Sequence, residues 1–595
     1  MDELWPFHIE IRQALAPLVI GVTGHRDLRV KDREILSQRV RAFLIDLKLN
    51  YPHTPLIILS ALAEGADRLV AQVALEREIL ARLLVPLPMP KHFYEQDFQE
   101  PGSLEEFNAL LRQAERWFVL PLHTGITEQG LARPEQRQRQ YQDVGEFIAR
   151  ESQILIALWD GTDTDLGGGT AQVVHFQIEG VPNSDECNLE PPEAFPVLQI
   201  VTPRLSNPTP IGEPFGLRMH YPEVFKNDQD GAKRYYSGMF SRLNAFNRSV
   251  TESARADLGK VKKSMRDVFP DLAESELSTS QKTALQRYAF ADVFAVDFQS
   301  RTKHVQQTLH WSVLLAFICF LFQAHLPGLA RVSTTAHWPW WLCFSLGFLL
   351  CGEYEYIRAE QLAVDTNYQD YRALAEGMRV RLFWDLAGVV GRITAYYFTK
   401  QRTELDWIRS GLRGWYLDSE RAIDGLSGRT GIRQSYGVEL ALSRWVDDQR
   451  VYFKTAAERD GRTGRRMEGQ VQALVGGALT VAGLLAIVMF TPWGKNVFEN
   501  EWLRAIPIVL VEGLLASGAL LHHYKEQMAF SEHAKQYRRM QGIFDRASDL
   551  INQALRLGNL KTAQECLRNL GREALAENGD WVLIHRERPL ELPHP

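Results

Sequence analysis

Residues 471–490 form a run of twenty residues without a charged side chain, and this run constrains the fold more than any other feature. A helix needs ~20 predominantly apolar residues to cross ~30 Å of hydrocarbon. Three further apolar runs come close to that length, at residues 309–326, 338–352 and 503–521, and only the last contains charged residues, Arg504 near its start and Glu512. The four runs predict an all-α membrane domain with four transmembrane helices in two hairpins, 309–352 and 471–521.

The composition of the whole chain shows that most of it lies outside the membrane. Of its 595 residues, 45% are apolar and 24% are charged, which are the proportions of ordinary folded protein. The net charge of -6 lacks the basic footprint of a protein that binds duplex nucleic acid. The five cysteines show no disulfide or metal-ligand spacing, so we predict no metal and no cofactor.

The first third of the chain alternates short apolar runs with amphipathic stretches, which is the pattern of β-α units. The runs are nearly continuous in Val, Ile and Leu, as expected for strands covered by helices on both faces. Ser103 and Glu106 form a capping-box pattern at the head of one intervening helix. We therefore predict an α/β Rossmann-like, doubly wound parallel sheet. Its predicted strands are residues 18–23, 56–60, 83–87, 117–120, 154–159 and 197–202.

The chain then divides into four predicted regions. These are the sheet domain, residues 1–205; a partly helical connector, residues 206–280; and two helical units, residues 281–400 and 401–595, each with one hairpin. An apolar stripe at helical spacing follows each hairpin. The stripes are Tyr371, Leu374, Met378 and Leu382 in the first unit and Tyr537, Met540, Phe544, Ala547 and Ile551 in the second. Such stripes are typical of helix packing, or alternatively of a stalk that couples a sensor to the membrane, and the two hairpins resemble a diverged internal repeat.

Basic residues predict the orientation of the hairpins. They cluster on the outer flanks of both hairpins, whereas the two short connecting loops carry only Arg331 and Lys495. By the positive-inside rule, the hairpin tips lie outside and the chain ends lie inside. The N-terminus also lacks the basic start and cleavage site of a signal peptide. We therefore predict a multi-pass inner-membrane protein whose termini and sheet domain are cytoplasmic.

The turn after the first predicted strand contains Gly24, His25 and Arg26. In a doubly wound sheet, ligands bind outside the carboxyl ends of the strands. A glycine there allows close approach of a ligand to the backbone, and a guanidinium binds phosphate. The GK[ST] sequence of a P-loop is absent. The alternative is a tight turn with a surface arginine.

The turn after the second strand contains the next group of candidate residues. Small residues at a strand-to-helix turn let backbone N–H groups face a ligand, and a helix N-terminus favours an anion. The residues that we assign to a ligand here are Ser60, Glu64, Gly65, Asp67 and Arg68.

The turns after the third and fifth strands complete the predicted site. Tyr94 follows the third strand and either stacks on a base or ribose or covers the core. After the fifth strand, a carboxylate could accept a hydrogen bond from ribose, and glycines at a helix start could hold a phosphate, unless they form only a flexible loop. The candidate residues of the fifth turn are Asp160, Gly161, Gly168, Gly169 and Thr170.

These turns carry a family resemblance. The succession GVTGHRD, SALAEGADR, a Pro-Tyr-Asp-Phe loop and LWDG followed by GGTA resembles the SLOG superfamily, whose Rossmann-like domains are related to LOG-type phosphoribohydrolases. The resemblance implies a pocket for a nucleotide or a nucleotide-derived messenger. The residues that it implies as the lining are Gly24, His25, Arg26, Ser60, Glu64, Gly65, Gly168, Gly169 and Thr170. LOG hydrolases follow their Gly-Thr with a catalytic carboxylate, whereas Ala171 stands here, so the resemblance favours binding over hydrolysis.

The helical part resembles the SLATT family, and residues 445–453, WVDDQRVYF, carry that resemblance. Members of this family join paired transmembrane helices to cytoplasmic amphipathic helices, and they occur with SLOG domains in bacterial conflict systems. Two hairpins would imply a doubled SLATT-like unit.

The two resemblances lead to one hypothesis and two alternatives. We expect a non-enzymatic sensor of a cyclic or ADP-ribose-derived nucleotide that perturbs or permeabilises the bacterial inner membrane as a homo-oligomer, in antiphage defence by abortive infection. The alternatives are a membrane-anchored LOG-like phosphoribohydrolase with Glu64 as its acid, and an ADP-ribose-gated channel without a defence role. Glu512 either faces a helix interface or pore, or is neutral and hydrogen-bonded between helices.

Overall fold

The computed structural model describes most of the chain. The described residues are 9–98, 101–163, 168–181, 192–256, 258–273, 276–325, 331–333, 336–337, 340–397, 405–418, 434–492, 494, 499 and 501–589. The chain forms two compact units. The first unit comprises Met1–Lys263, Asp271–Arg287 and Arg392–Gly431, and the second comprises Ser264–Pro270, Tyr288–Gly391 and Ile432–Pro595. The first unit therefore extends past the predicted boundary at residue 205 and includes a segment from far along the chain.

A seven-stranded sheet lies at the centre of the first unit. Its strands are β1 Leu18–Gly24, β2 Leu56–Leu59, β3 Arg82–Leu87, β4 Arg116–Val119, β5 Ile154–Trp159, β6 Val197–Val201 and β7 Leu217–His220. Their order is β4-β3-β2-β1-β5-β6-β7, and every neighbouring pair is parallel except β6 and β7. The six predicted strands are confirmed to within one residue at each end.

Strand β7 lies within the segment that the sequence describes as a connector. It pairs antiparallel with β6 at the edge of the sheet. Its first two residues, Leu217 and Arg218, are exposed, so this strand has no buried apolar run. Apolar patterning is the signal by which strands are found in a sequence, and an edge strand of this kind does not provide it.

Apart from two four-residue helices, Ile11–Ala14 and Lys91–Tyr94, seven helices follow or connect these strands in chain order. They are α1 Arg33–Asn50, α2 Ala66–Ala74, α3 Ser103–Gln113, α4 Pro134–Glu151, α5 Thr170–Glu179, α6 Gln229–Ala256 and α7 Gly259–Val268. Val144 of α4 and Val173 of α5 belong to a buried cluster with strand residues such as Leu155. Burial of this apolar surface against a parallel sheet explains why the strands read as continuous apolar runs.

Nine more helices complete the described chain. They are α8 Thr279–His325, α9 Trp340–Gln361, α10 Val364–Ala387, α11 Asp406–Asp418, α12 Gln434–Ala441, α13 Asp447–Met489, α14 Glu501–Gln527, α15 Phe530–Arg556 and α16 Leu560–Arg586. Between α8 and α9, Arg331–Ser333 (β8) pairs antiparallel with Ala336–His337 (β9). Helix α11 belongs to the first unit, where Leu417 joins the cluster on the sheet and accepts a hydrogen bond from Arg116 (2.8 Å).

Three helical stretches of the described residues are long and apolar enough to cross a membrane. They are Thr279–His325, Gln434–Met489 and Leu503–Arg556. Helix α9 is not among them, since its apolar part begins at Trp340 and reaches the first carboxylate at Glu353. Three of the four predicted spans are thus supported as candidates by length and composition.

The two apolar stripes that follow the hairpins are buried throughout, as expected for helix packing. Each stripe begins after a break at an alanine in the left-handed conformation, Ala363 (φ 46°) before α10 and Ala529 (φ 49°) before α15. The five residues around these breaks read EQLAV at 360–364 and EQMAF at 526–530. The same rare backbone conformation within a matching sequence is what an internal repeat would produce.

Candidate functional site

The order of the strands places a crevice between β1 and β5. The chain leaves β1 in the direction of β2 and later returns to the other side of β1 as β5. In open α/β sheets, ligands bind at such a switch point, beyond the carboxyl ends of the strands. The turns that begin with Gly24 and with Asp160 flank this crevice.

The turn after β2 packs directly against the turn after β1. Gly65 has φ 80°, and a Cβ atom at this position would lie 2.6 Å from the carbonyl oxygen of His25 and closer still to that of Arg26. The backbone N–H of Ala66 donates to the carbonyl of His25 (3.1 Å). Glycine is required here both for the conformation and for the contact. Two of the predicted turns are therefore brought together.

Hydrogen bonds within the protein occupy the amides of the turn after β2. The N–H of Leu62 donates to Oγ of Ser60 (3.2 Å), and the N–H of Ala63 donates to Oδ2 of Asp67 (3.3 Å). Leu62 itself is held at φ 56°, an uncommon conformation for a bulky residue. These amides are therefore not offered to a ligand, in contrast to the expectation from the sequence.

Arg68 is buried inside the protein. Its Nε donates to the carbonyl of Leu62 (3.0 Å), and its Nη1 donates to the carbonyl of Ser103 (2.8 Å) and to Oε2 of Glu106 (3.0 Å). Ser103 is the first residue of α3 rather than its cap, and Gly102 precedes it. The capping-box prediction is thus wrong, because these two side chains bind a buried guanidinium. Glu64 also accepts a hydrogen bond from the Ser103 hydroxyl.

Asp67 lies in the first turn of α2 and is 6% exposed. Burial raises the pKa of its carboxyl group to about 7, although the N–H of Ala63 and the charge of Arg26 act in the opposite direction. Asp67 is therefore a mixture of charged and neutral forms near neutral pH.

Tyr94 is a core residue. Its side chain is 1% exposed, its hydroxyl donates to the carbonyl of Ala61 (3.2 Å), and its ring contacts Phe98 and Phe107. The ring therefore has no face available for a base. Tyr94 covers the core, which is the alternative that the sequence analysis gave for this residue.

Asp160 is also fully buried. Its carboxylate accepts hydrogen bonds from Arg204 Nε (2.8 Å), Asn207 Nδ2 (2.9 Å) and the N–H of Thr162 (3.0 Å). Although burial raises the pKa of Asp160, these donors outweigh it and lower the pKa to about 2. The predicted contact with ribose is thus replaced by contacts within the protein, and Gly161 (φ 83°) forms the adjoining turn.

Arg204 and Asn207 are functional neighbours that the sequence analysis did not identify. Both follow β6, so the rule that points to the carboxyl ends of strands applies to them as it does to Arg26. They fill the part of the crevice beside β5.

His25 connects this filled part to the turn after β1. Its Nε2 lies 3.2 Å from Oδ1 of Asp160 and accepts the backbone N–H of the same residue (3.1 Å). Burial lowers the pKa of His25. The imidazole is therefore neutral at pH 7 and positions the turn rather than supplying charge.

Another part of the crevice lies beside Tyr141 of α4. Arg26 is an exposed residue, and its guanidinium lies over the Tyr141 ring, 5.2 Å from the ring centroid. Gly168 (φ 78°) approaches the same residue, since a Cβ atom there would lie 3.0 Å from the Tyr141 Cβ. The Tyr141 hydroxyl donates to Asp97. Arg26 and the turn after β5 are therefore neighbours.

Helix α5 begins at this point. Gly169 is its N-cap residue and provides no side-chain cap. Among the residues that the structure describes, no acceptor bonds the backbone N–H groups of Thr170 and Ala171. Unsatisfied N–H groups at a helix N-terminus attract anions, and a nearby guanidinium adds to this effect. This part of the crevice can therefore bind a phosphate or a similar anion.

Glu512 belongs to the second unit, far along the chain from these turns. Its Oε2 lies 3.0 Å from Nε2 of His325, so a hydrogen bond joins α14 to α8. The described residues contain no group of three or more His, Cys, Asp or Glu side chains that could hold a metal ion.

Comparison with known proteins adds nothing to this description. No protein-family model matches the chain, and no curated protein matches it significantly.

Proposed function

We propose that this chain senses a nucleotide-derived messenger in the cytoplasm and in response perturbs or permeabilises the bacterial inner membrane. One observation supports the sensing step above all others: the guanidinium of Arg26 and the N-terminus of α5 lie beside the same residue, Tyr141, at the switch point of a parallel sheet. Both groups are phosphate binders in proteins generally. The phosphate of the messenger is the part that these groups would hold.

The occupied carboxylates favour binding over turnover. Hydrolysis of a glycosidic bond needs an acid that is free to protonate the departing base. Asp160 is fully engaged by donors that hold it ionised, and Glu64 accepts a hydrogen bond from Ser103. We therefore propose a non-enzymatic, SLOG-like sensor.

The membrane part of the proposal rests on the apolar helices. We assign α9 as a fourth span beside the three candidates, which gives two SLATT-like hairpins whose ends are cytoplasmic. Four spans enclose little water, so a permeable state would require several copies of the chain. The chain passes from the first unit into the second within α8, which provides a covalent route for coupling. A role in antiphage defence follows from the two resemblances.

Binding to the full chain tests the sensing step. We would measure the affinity of the detergent-solubilised protein for ADP-ribose and for 3′,5′-cyclic AMP by calorimetry. If Arg26 holds a phosphate, Arg26→Ala should weaken binding about 10- to 150-fold, because a hydrogen bond to a charged group contributes roughly 1.5–3 kcal/mol. The control is Arg112→Ala. It removes an exposed arginine from the last turn of α3, just before the outermost strand β4.

The response is tested in liposomes that contain the full chain. Release of an enclosed dye on addition of the nucleotide that binds, reduced in Arg26→Ala and unchanged in Arg112→Ala, is the expected result. Chromatography of the same samples should recover the nucleotide intact. Cleavage of the nucleotide would instead establish the LOG-like alternative. Equal affinity of Arg26→Ala and the unmodified protein would contradict the proposed site.

A further inference from the structure

Four polar side chains meet in two pairs between two of the apolar helices of the second unit, and Gln323 precedes one of these residues by two positions. We call them the polar seam: His310, Gln323 and His325 on α8, and Glu512 and His523 on α14. The His325 and Glu512 side chains are hydrogen-bonded (3.0 Å), and the His310 and His523 rings lie 5.6 Å apart, centroid to centroid, at an angle of 31°. Polar and ionisable groups within apolar spans are rare and mark pathways for ions and protons.

Three atoms of the polar seam lack a partner. Nε2 of His310, Nε2 of His523 and Oε1 of Gln323 are buried, and no hydrogen-bond partner lies among the described residues. Nδ1 of His310 donates to the carbonyl of Gln306 (2.8 Å), so Nε2 carries the lone pair of the neutral ring. Each such buried atom costs about 1–3 kcal/mol unless a water or a proton satisfies it. The polar seam is therefore a place where water or protons are stabilised.

The spacing of these groups covers most of a bilayer. His310 is opposite His523 and His325 is opposite Glu512, so the two helices run antiparallel. At 1.5 Å per residue, the two ends of the seam are roughly 22 Å apart along α8 and roughly 16 Å apart along α14. The hydrocarbon layer is ~30 Å thick. Titratable groups thus occur near both ends of the apolar run of α8, whereas on α14 Glu512 lies in the middle of the run 503–521 and His523 just beyond its end. Gln323 is two positions before His325.

Comparison of α9 with α14 places apolar residues of α9 where α14 has polar ones. The alanines at the two breaks, Ala363 and Ala529, are 166 positions apart, and α9 and α14 each lead to one of them. At the same offset, Leu346 and Ile357 of α9 correspond to the two polar residues of α14. An apolar residue serves at each equivalent position. Glu512 and His523 are therefore features of α14 that α9 does not share.

We propose that the polar seam conducts protons across the membrane. A water-borne proton binds Nε2 of one imidazole and forms an imidazolium, and release of a proton to the next water restores the neutral ring, so no oxidant or other reactant is consumed. Glu512 accepts and releases a proton in the same way at the other end. This inference rests on the proposed function, because it names the ion that a membrane-permeabilising chain would pass.

Proton flux into liposomes tests the proposal. Vesicles that contain the full chain would enclose the pH dye pyranine, and a potassium gradient with valinomycin would supply the driving force, with and without ADP-ribose as the probe nucleotide. Parallel vesicles would enclose calcein, which reports larger pores. We expect a proton flux above that of protein-free vesicles. Glu512→Gln should decrease this flux about tenfold or more, because glutamine keeps the shape of the side chain but cannot exchange a proton.

Two control variants, Glu512→Asp and Thr480→Val, exclude a folding defect, and a third variant tests the other end of the polar seam. Glu512→Asp keeps a titratable carboxylate and should retain more flux than Glu512→Gln. Thr480→Val removes a polar group from an exposed position of α13, where the hydroxyl bonds the carbonyl of Gly476 (2.8 Å), and should leave the flux unchanged. His523→Phe should lower the flux as Glu512→Gln does, because it removes the exchanging group at the other end.

The outcomes separate this inference from the proposed function. Calcein release with ADP-ribose, together with equal proton flux in Glu512→Gln and the unmodified protein, would contradict proton conduction by the polar seam. It would leave the proposed sensor intact. Proton flux that ignores ADP-ribose but falls in Glu512→Gln and His523→Phe would support the polar seam and contradict the sensor. The absence of flux under both conditions would overturn the polar seam.

Discussion

Replacement of Asp67 by asparagine tests whether the turn after β2 holds a buried carboxyl group with a raised pKa. The carboxyl group is 6% exposed and has a pKa raised by burial to about 7, against 3.8 in the unfolded chain. Between these two values, the folded state keeps a proton that the unfolded state releases. The free energy of unfolding therefore falls as the pH rises from about 4 to about 7, and the loss is complete above pH 7.

The size of the effect follows from the shift. Each pKa unit corresponds to 1.36 kcal/mol, so a carboxyl group that changes from 3.8 to about 7 destabilises the first unit by roughly 4 kcal/mol above pH 7. Asparagine cannot ionise and does not incur this cost, and its carbonyl can still accept the N–H of Ala63. We expect Asp67→Asn to raise the unfolding temperature of the first unit by roughly 6 °C at pH 8.

Calorimetric unfolding of the full chain in detergent at pH 5.5 and pH 8 provides the measurement. The stabilisation by Asp67→Asn should be larger at pH 8 by roughly 2 kcal/mol or more, because only part of the cost has developed at pH 5.5. Glu76→Gln is the control. A hydrogen bond from Arg41 lowers the pKa of Glu76, so its contribution is present at both pH values and is lost only in more acidic solution. An equal effect of Asp67→Asn at the two pH values would refute the assignment.

Three further substitutions test the backbone and the core. Gly65→Ala should lower the unfolding temperature of the first unit, with a loss of unfolding free energy above ~3 kcal/mol. The reason is that φ 80° and the contact with the His25 carbonyl both exclude a Cβ atom. A loss below ~1 kcal/mol would contradict this account. Ala529→Gly should raise the unfolding temperature of the second unit by relieving a left-handed alanine, a net gain of roughly 0.5 kcal/mol, and a loss of stability would count against strain at this break. Tyr94→Phe should cost about 1 kcal/mol through the lost hydrogen bond to Ala61 yet leave the affinity for ADP-ribose unchanged; a tenfold loss of affinity would return Tyr94 to the ligand site.

The sheet could be predicted because its physical signal is local. Strands that are buried on both faces must be apolar at every position, so β1 and β5 are visible as continuous runs. The positions of the turns follow from the strands. The convergence of Gly24, Gly65 and Gly168 at one edge then requires only the topology of a doubly wound sheet.

The state of the polar side chains at that edge could not be predicted in the same way. Arg68 is bonded by residues of α3, and Asp160 is bonded by residues that follow β6, each more than thirty positions along the chain. A local pattern does not reveal whether a charged side chain meets solvent or a distant donor. One signal was available for Arg68, because almost every residue of Ala66–Ala74 is buried, and an arginine in such a helix needs internal partners.

Asp67 also connects the electrostatics of the site to the proposed ligand. The charge of Arg26 lowers the pKa of Asp67, so the two groups interact. A phosphate bound to Arg26 would oppose ionisation of Asp67, and by linkage the affinity for that phosphate is higher when Asp67 is protonated. The affinity of the full chain for ADP-ribose should therefore fall several-fold between pH 6 and pH 8, in the range where Asp67 loses its proton.

Asp67→Asn should abolish this dependence and keep the higher affinity throughout, because the amide is neutral at every pH. Calorimetric titrations at pH 6, 7 and 8 with both proteins provide the comparison. The diphosphate that links the two halves of ADP-ribose stays ionised between pH 6 and pH 8. The ligand itself therefore contributes little to any change in affinity. An affinity that is independent of pH in the unmodified protein, or an equal decrease in both proteins, would place the phosphate away from Arg26 and Asp67.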